Sequence, residues 1–173
     1  VRPAPALDRE QARASLGLPA QGLLLLVVGG SQGALALNRT LAEAVQMVEQ
    51  GTLARVEGLS VLWSTGPRHH ADARSALAAA GDPGWVRAVP YIDEMPSALV
   101  AADLAVSRAG AMATAELLNH ALPAVLVPLP TAAADHQTKN AQALVAAGAV
   151  VMAPEEGLTG AALWSHVTRL ATD

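Results

Sequence analysis

The sequence predicts one α/β domain, a doubly wound parallel six-stranded Rossmann-like sheet covered by helices on both faces. Three observations carry that expectation. Continuous apolar runs such as "GLLLLVV" (22–28) read as strands buried on both faces. Such runs alternate with helix-like stretches along the whole chain. The chain is 52% hydrophobic, yet its aromatic residues are only Trp63, Trp85, Trp164 and Tyr91. A core of that kind is built from Ala, Val and Leu in close-packed layers. At 173 residues the chain suits one domain, 1–173, and no internal linker interrupts it.

Taken in order, Asp8 is placed to cap a short helix, "REQARASLG", that stops at Gly17. The first strand, 22–28, breaks into "GGSQGA" (29–34), and an amphipathic helix runs from about Leu35 to Gln50. "LSVLWST" (59–65) is a second buried strand, followed by a helix over 70–81 that ends at Gly81. "WVRAVPY" (85–91) is a short third strand. A helix over 96–102 then begins at Pro96, where proline suits a first turn. The second half repeats the alternation more tightly. Strands over 103–107, 123–129 and 149–153 are each followed by a helix, over 110–121, 135–148 and 159–171. Asp135 and Thr159 stand at the starts of the last two. Right-handed crossovers turn this order into a parallel sheet.

Composition excludes several classes. A net charge of −4 with no basic run argues against a surface that tracks nucleic-acid phosphates. The absence of Cys removes disulfides and thiolate metal sites and fits a reducing compartment. The apolar run at 23–28 is far too short to span a bilayer, and no signal-peptide pattern is present. The chain opens on Val and is read as a processed chain or a piece of a longer one. The histidines lack partners at metal-ligand spacing, and no Asp-x-Asp occurs to anchor a cation-bound diphosphate, so no metal is expected.

In doubly wound sheets, ligands bind at the carboxyl ends of the strands where the strand order reverses. Two loops stand out by that rule. "GGSQGA" places Gly29, Gly30 and Gly33 before a helix, so backbone N–H groups can approach an anion, and Ser31 adds a hydroxyl. "SRAGAMATAE" (107–116) repeats the design, with Gly110, Ala111 and Met112 leaving a helix start unobstructed. Glu116 follows about 8–9 Å along the helix axis, near the distance from a nucleotide diphosphate to its ribose diol. A carboxylate there can accept from both hydroxyls, although solvated helix glutamates are common. Arg108 either neutralises phosphate or pairs with a neighbouring carboxylate. Two such helix starts point to a diphosphate held between them. "HQTKN" (136–140) could meet sugar hydroxyls or be a plain polar helix start.

Together "VRPAPAL", "GGSQGALALN", "YIDEMPSALVAADLAVSRAGAMATAELL" and "LPAVLVPLPTAAADHQTKNAQAL" resemble the C-terminal, donor-binding half of the MurG family of GT-B glycosyltransferases. The resemblance covers essentially the whole chain. It implies a domain that holds UDP-GlcNAc for inverting, metal-independent transfer of GlcNAc to lipid I, giving lipid II in peptidoglycan synthesis. It implies no cofactor, because UDP-GlcNAc is the donor substrate. Arg2 would reach the diphosphate, and Gly30 and Ser31 would bind phosphate. Ile92 would read uracil through its backbone, with Met95 beside the ring. Ala111, Met112 and Ala113 would offer N–H groups to phosphate and sugar, and Glu116 would hold the ribose. Gln137, and more weakly Asn38, would meet GlcNAc hydroxyls, while Arg108 would become structural. No catalytic residue is assigned to this chain.

The implied partners are a separate N-terminal domain and, through it, lipid I and the cytoplasmic face of the bacterial membrane. That location would be peripheral, the chain by itself would be soluble, and it would not turn over alone. The family's closing segment also extends past Asp173. A UDP-GlcNAc 2-epimerase-like enzyme and a non-catalytic nucleotide-sugar module are the alternatives.

Overall fold

The structure is a computed structural model that describes residues 8–132 and 135–172. Its elements follow the order the apolar pattern implies. They are α1 (Arg9–Ser15), β1 (Leu23–Val28), α2 (Leu35–Glu49), β2 (Leu59–Ser64), α3 (His70–Ala79), β3 (Val86–Val89) and α4 (Met95–Ala101). They continue with β4 (Leu104–Ser107), α5 (Ala111–Asn119), β5 (Ala124–Leu126), α6 (His136–Ala146), β6 (Val150–Met152) and α7 (Gly160–Thr172). A three-residue 3-10 turn, Pro67–His69, leads into α3.

The strands form one parallel sheet in the order β3-β2-β1-β4-β5-β6. The chain therefore builds outward from β1 to β3, then returns to the other side of β1 and builds outward again. The reversal lies between β1 and β4, where Val28 is the register partner of Ser107. It brings the two glycine-bearing loops side by side at the same end of the sheet.

Alternation along β1 sorts its side chains between two cores. Leu25 and Val27 pack with α2, α3 and α7 on one face, while Leu24 and Leu26 pack with α1, α4, α5 and α6 on the other. The first core holds all three tryptophans, and Trp85 and Trp164 meet at a centroid distance of 5.7 Å. The second is built largely from alanine, including Ala98, Ala101, Ala105, Ala109, Ala124 and Ala141. Small side chains let α4, α5 and α6 lie close to the sheet, and this places the start of α5 against the strand ends.

Strand and helix ends differ from the sequence reading where proline or an ion pair intervenes. β5 stops at Leu126 rather than at Leu129, because the Val127 and Pro128 carbonyls accept hydrogen bonds from the Arg108 guanidinium. β3 stops before Pro90, which has no N–H to donate. Thr159 caps α7, its hydroxyl accepting from the Ala162 N–H at 3.2 Å. Asp8 and Asp135 occupy N-cap positions without side-chain cap bonds, and Asp135 has a left-handed backbone (φ 54°). At the opposite end of the sheet, buried Arg13 bonds Asp103, whose carboxylate also accepts the Leu24 N–H. This fixes α1 to the starts of β1 and β4. No helix among the described residues is long and apolar enough to cross a membrane.

Candidate functional site

A cavity of about 1020 Å³ opens where β1 and β4 end. Its floor is Val28, Gly29, Ser64 and Ser107. One wall comes from the start of α2 and the other from Gly110–Ala113 and Glu116 of α5, with Met95, Leu129 and Gln137 closing the far side. The sequence rule and the geometry therefore select the same two loops.

Close backbone contact fixes the first loop. Gly33 has φ +76°, and a Cβ there would fall on the Thr65 carbonyl; Gly66, φ +81°, meets the Gln32 carbonyl in the same way. Two facing glycines let the ends of β1 and β2 touch through backbone. Gly110 is different, because a Cβ added there would meet nothing within 4 Å. Its bareness leaves the mouth of the cavity open. The N-cap residues of α2 and α5 are Ala34 and Gly110, neither of which carries a side-chain oxygen. The first N–H groups of both helices thus have no capping side chain, and neither first turn contains an acid. Two such N-termini directed at one cavity make an anion site.

Most residues singled out in the sequence line this cavity: Gly30, Ser31, Met95, Ala111, Met112, Ala113, Glu116 and Gln137. The Ser31 hydroxyl and the Glu116 carboxylate make no hydrogen bond or ion pair among the described residues and remain available to a ligand. Met112 is 79% exposed and overhangs the opening. Gln137 is partly committed, since its Oε1 accepts the Leu129 N–H at 3.0 Å and leaves its NH2 as the free end. Ile92 does not line the main cavity. Its side chain is buried in the alanine-rich core, and its loop lines a smaller adjoining pocket with Tyr91, Asp93 and Glu94. Tyr91 borders both spaces. Arg2 lies outside the described residues.

Asn38 requires a correction. Its Nδ2 donates to the Thr65 carbonyl at 2.7 Å, and its Oδ1 accepts from Trp63 Nε1 at 2.9 Å. Buried and fully engaged beneath the loop, it is not positioned to meet a sugar. Arg108 is held in the protein as well, bonded to the Val127 and Pro128 carbonyls and paired with Glu155. Sequence reasoning missed Arg39, Leu35, Tyr91 and Glu155, all of which line the cavity. The spacing of Leu35 and Arg39, four residues apart on the face of α2 opposite Leu37 and Leu41, was a readable signal. Among the described residues, no group of three or more His, Asp or Glu could hold a metal ion.

The profile of the glycosyltransferase family 28 C-terminal domain matches residues 24–173. The chain belongs to this family. A relative from Salinibacter ruber is 44% identical over 151 residues, which is 87% of this chain and 39% of its own. It is named UDP-N-acetylglucosamine–N-acetylmuramyl-(pentapeptide) pyrophosphoryl-undecaprenol N-acetylglucosamine transferase. A protein of the same name from Symbiobacterium thermophilum is 40% identical over 175 residues, covering 100% of this chain and 44% of its own. Among solved structures, MurG of Acinetobacter baumannii superposes with a TM-score of 0.73 at 30% identity, over 95% of this chain and 47% of that one. The chain thus spans about two fifths of the length of such relatives. It is a glycosyltransferase family 28 C-terminal domain, and the doubly wound sheet expected from the sequence is borne out.

Proposed function

We propose that this domain holds UDP-GlcNAc in an enzyme that transfers GlcNAc to lipid I, forming lipid II during peptidoglycan synthesis. One observation carries the reading: the uncapped starts of α2 and α5 converge on one cavity, with the uncommitted Glu116 carboxylate farther along α5. The helix starts accommodate the diphosphate, with Ser31 and the N–H groups near Ala111–Ala113 as donors. Glu116 accepts from the ribose diol. Uracil lies toward the Tyr91–Met95 loop, read by the Ile92 backbone and flanked by Met95, and the Gln137 amide NH2 donates to the sugar. The names of the relatives supply the donor and the acceptor class.

The domain's chemical share is to orient the donor and stabilise charge on departing UDP. Helix N-termini do this without reorganising as the bond breaks. The family resemblance further assigns Arg2, outside the described residues, to the diphosphate. Transfer proceeds with inversion, without a metal or other cofactor. The general base, the lipid acceptor and peripheral attachment to the cytoplasmic face of the membrane come through an N-terminal domain. Calorimetric titration with UDP-GlcNAc, UDP, ADP and NAD tests the reading. Both uridine ligands should bind more tightly than ADP and NAD. Absent binding of UDP-GlcNAc, or binding no tighter than that of NAD, overturns it.

A further inference from the structure

Four charged side chains line the cavity: Arg39, Arg108, Glu116 and Glu155. Arg108 and Glu155 neutralise one another, and the remaining Arg108 donors are spent on carbonyls. Among the described residues, Arg39 therefore supplies the cavity's one uncommitted positive charge. It makes no hydrogen bond and no ion pair with them.

Its position on α2 is unfavourable if it serves only as surface. Arg39 lies one turn after Leu35, and long helical side chains lean back toward the N-terminus. A side chain leaning that way stands on the side of the first turn, the positive end of the helix field, where no acid offsets it, and Arg39 lines the cavity there. A cation there is disfavoured until an anion occupies the same end. The local rule is broken at the rim of a cavity otherwise organised for negative charge.

We propose that Arg39 is a diphosphate-binding residue, completing the anion site at the start of α2. The diphosphate comes either from the nucleotide or from the lipid-linked acceptor. The inference rests on the nucleotide-sugar reading of the cavity and adds a residue that reading did not contain. Arg39 is exposed and carries none of the core, so substitution leaves the fold intact, which a thermal melt checks.

The test titrates the parent chain, Arg39→Gln and Arg39→Lys with UDP, uridine and geranyl diphosphate. If the nucleotide supplies the anion, Arg39→Gln weakens UDP about tenfold, the loss of one charge-assisted contact, and leaves uridine unchanged. Arg39→Lys should fall between the two, restoring charge without the planar fork. If the acceptor supplies it, geranyl diphosphate shows the loss and UDP does not. Unchanged binding of both diphosphates overturns the assignment while leaving the cavity's reading standing. A parent chain that binds UDP no better than uridine overturns both.

Discussion

Glu116 is a half-buried carboxylate on α5 with no protein partner among the described residues. As the ribose ligand, it makes a differential prediction. Glu116→Ala should weaken UDP by about 10- to 100-fold, the worth of hydrogen bonds to a charged group, and change pyrophosphate binding less than about twofold. Calorimetry with the two ligands checks it, and equal losses would remove the ribose assignment. The same scale shows what the letters could not reveal. The resemblance assigns Asn38 weakly to the sugar, yet it shares the helix face of Leu37, Leu41 and Val45. Its inward direction was readable from the 3.6-residue period. Its partners were not, because Trp63 and Thr65 come from a different strand and its exit. Arg108 was ambiguous for a related reason: only the fold brings Glu155 beside it.

The elements were more legible than their partners. Mostly apolar runs marked the strands, because a strand buried on both faces leaves little room for polar alternation, and glycines follow the ends of α1, α2, α3 and α6. What sequence alone left open was which strand lies beside which. Helix packing supplies a test at this scale. Gly160 opens α7 directly against α2: a Cβ there would lie 2.6 Å from the Ala44 N, and its own N–H donates to Glu43 at 2.9 Å. Gly160→Val should therefore force α7 off α2 and cost about 1–3 kcal/mol, the usual penalty for overpacking. The urea midpoint measures it. The positive-φ glycines at 33 and 66 belong to the same class of constraint, since backbone rather than side chains fills the contact.

For the molecule as a whole, α7 also carries a titrating group. His166 is partly buried beside Trp164 and Val167, and its pKa is lowered, first by desolvation and then by the nearby Arg169 cation. The folded state thus resists a proton that the unfolded chain accepts at the ordinary histidine pKa. Above that value both states are neutral and nothing is lost. As pH falls through it, the unfolded state gains the proton first and stability declines. His166→Gln should flatten that decline between about pH 7.5 and 5.5, read as the difference in urea midpoints between variant and parent.

The central pairing of β1 with β4 has a further consequence. The two walls of the cavity are contributed by segments far apart along the chain and meet where β1 pairs with β4. Neither half of the sheet carries a complete site, so the cavity exists only where β1 and β4 are paired. A ligand lodged there acts as a clasp across the seam, and the protein cannot open along β1 and β4 without first letting it go.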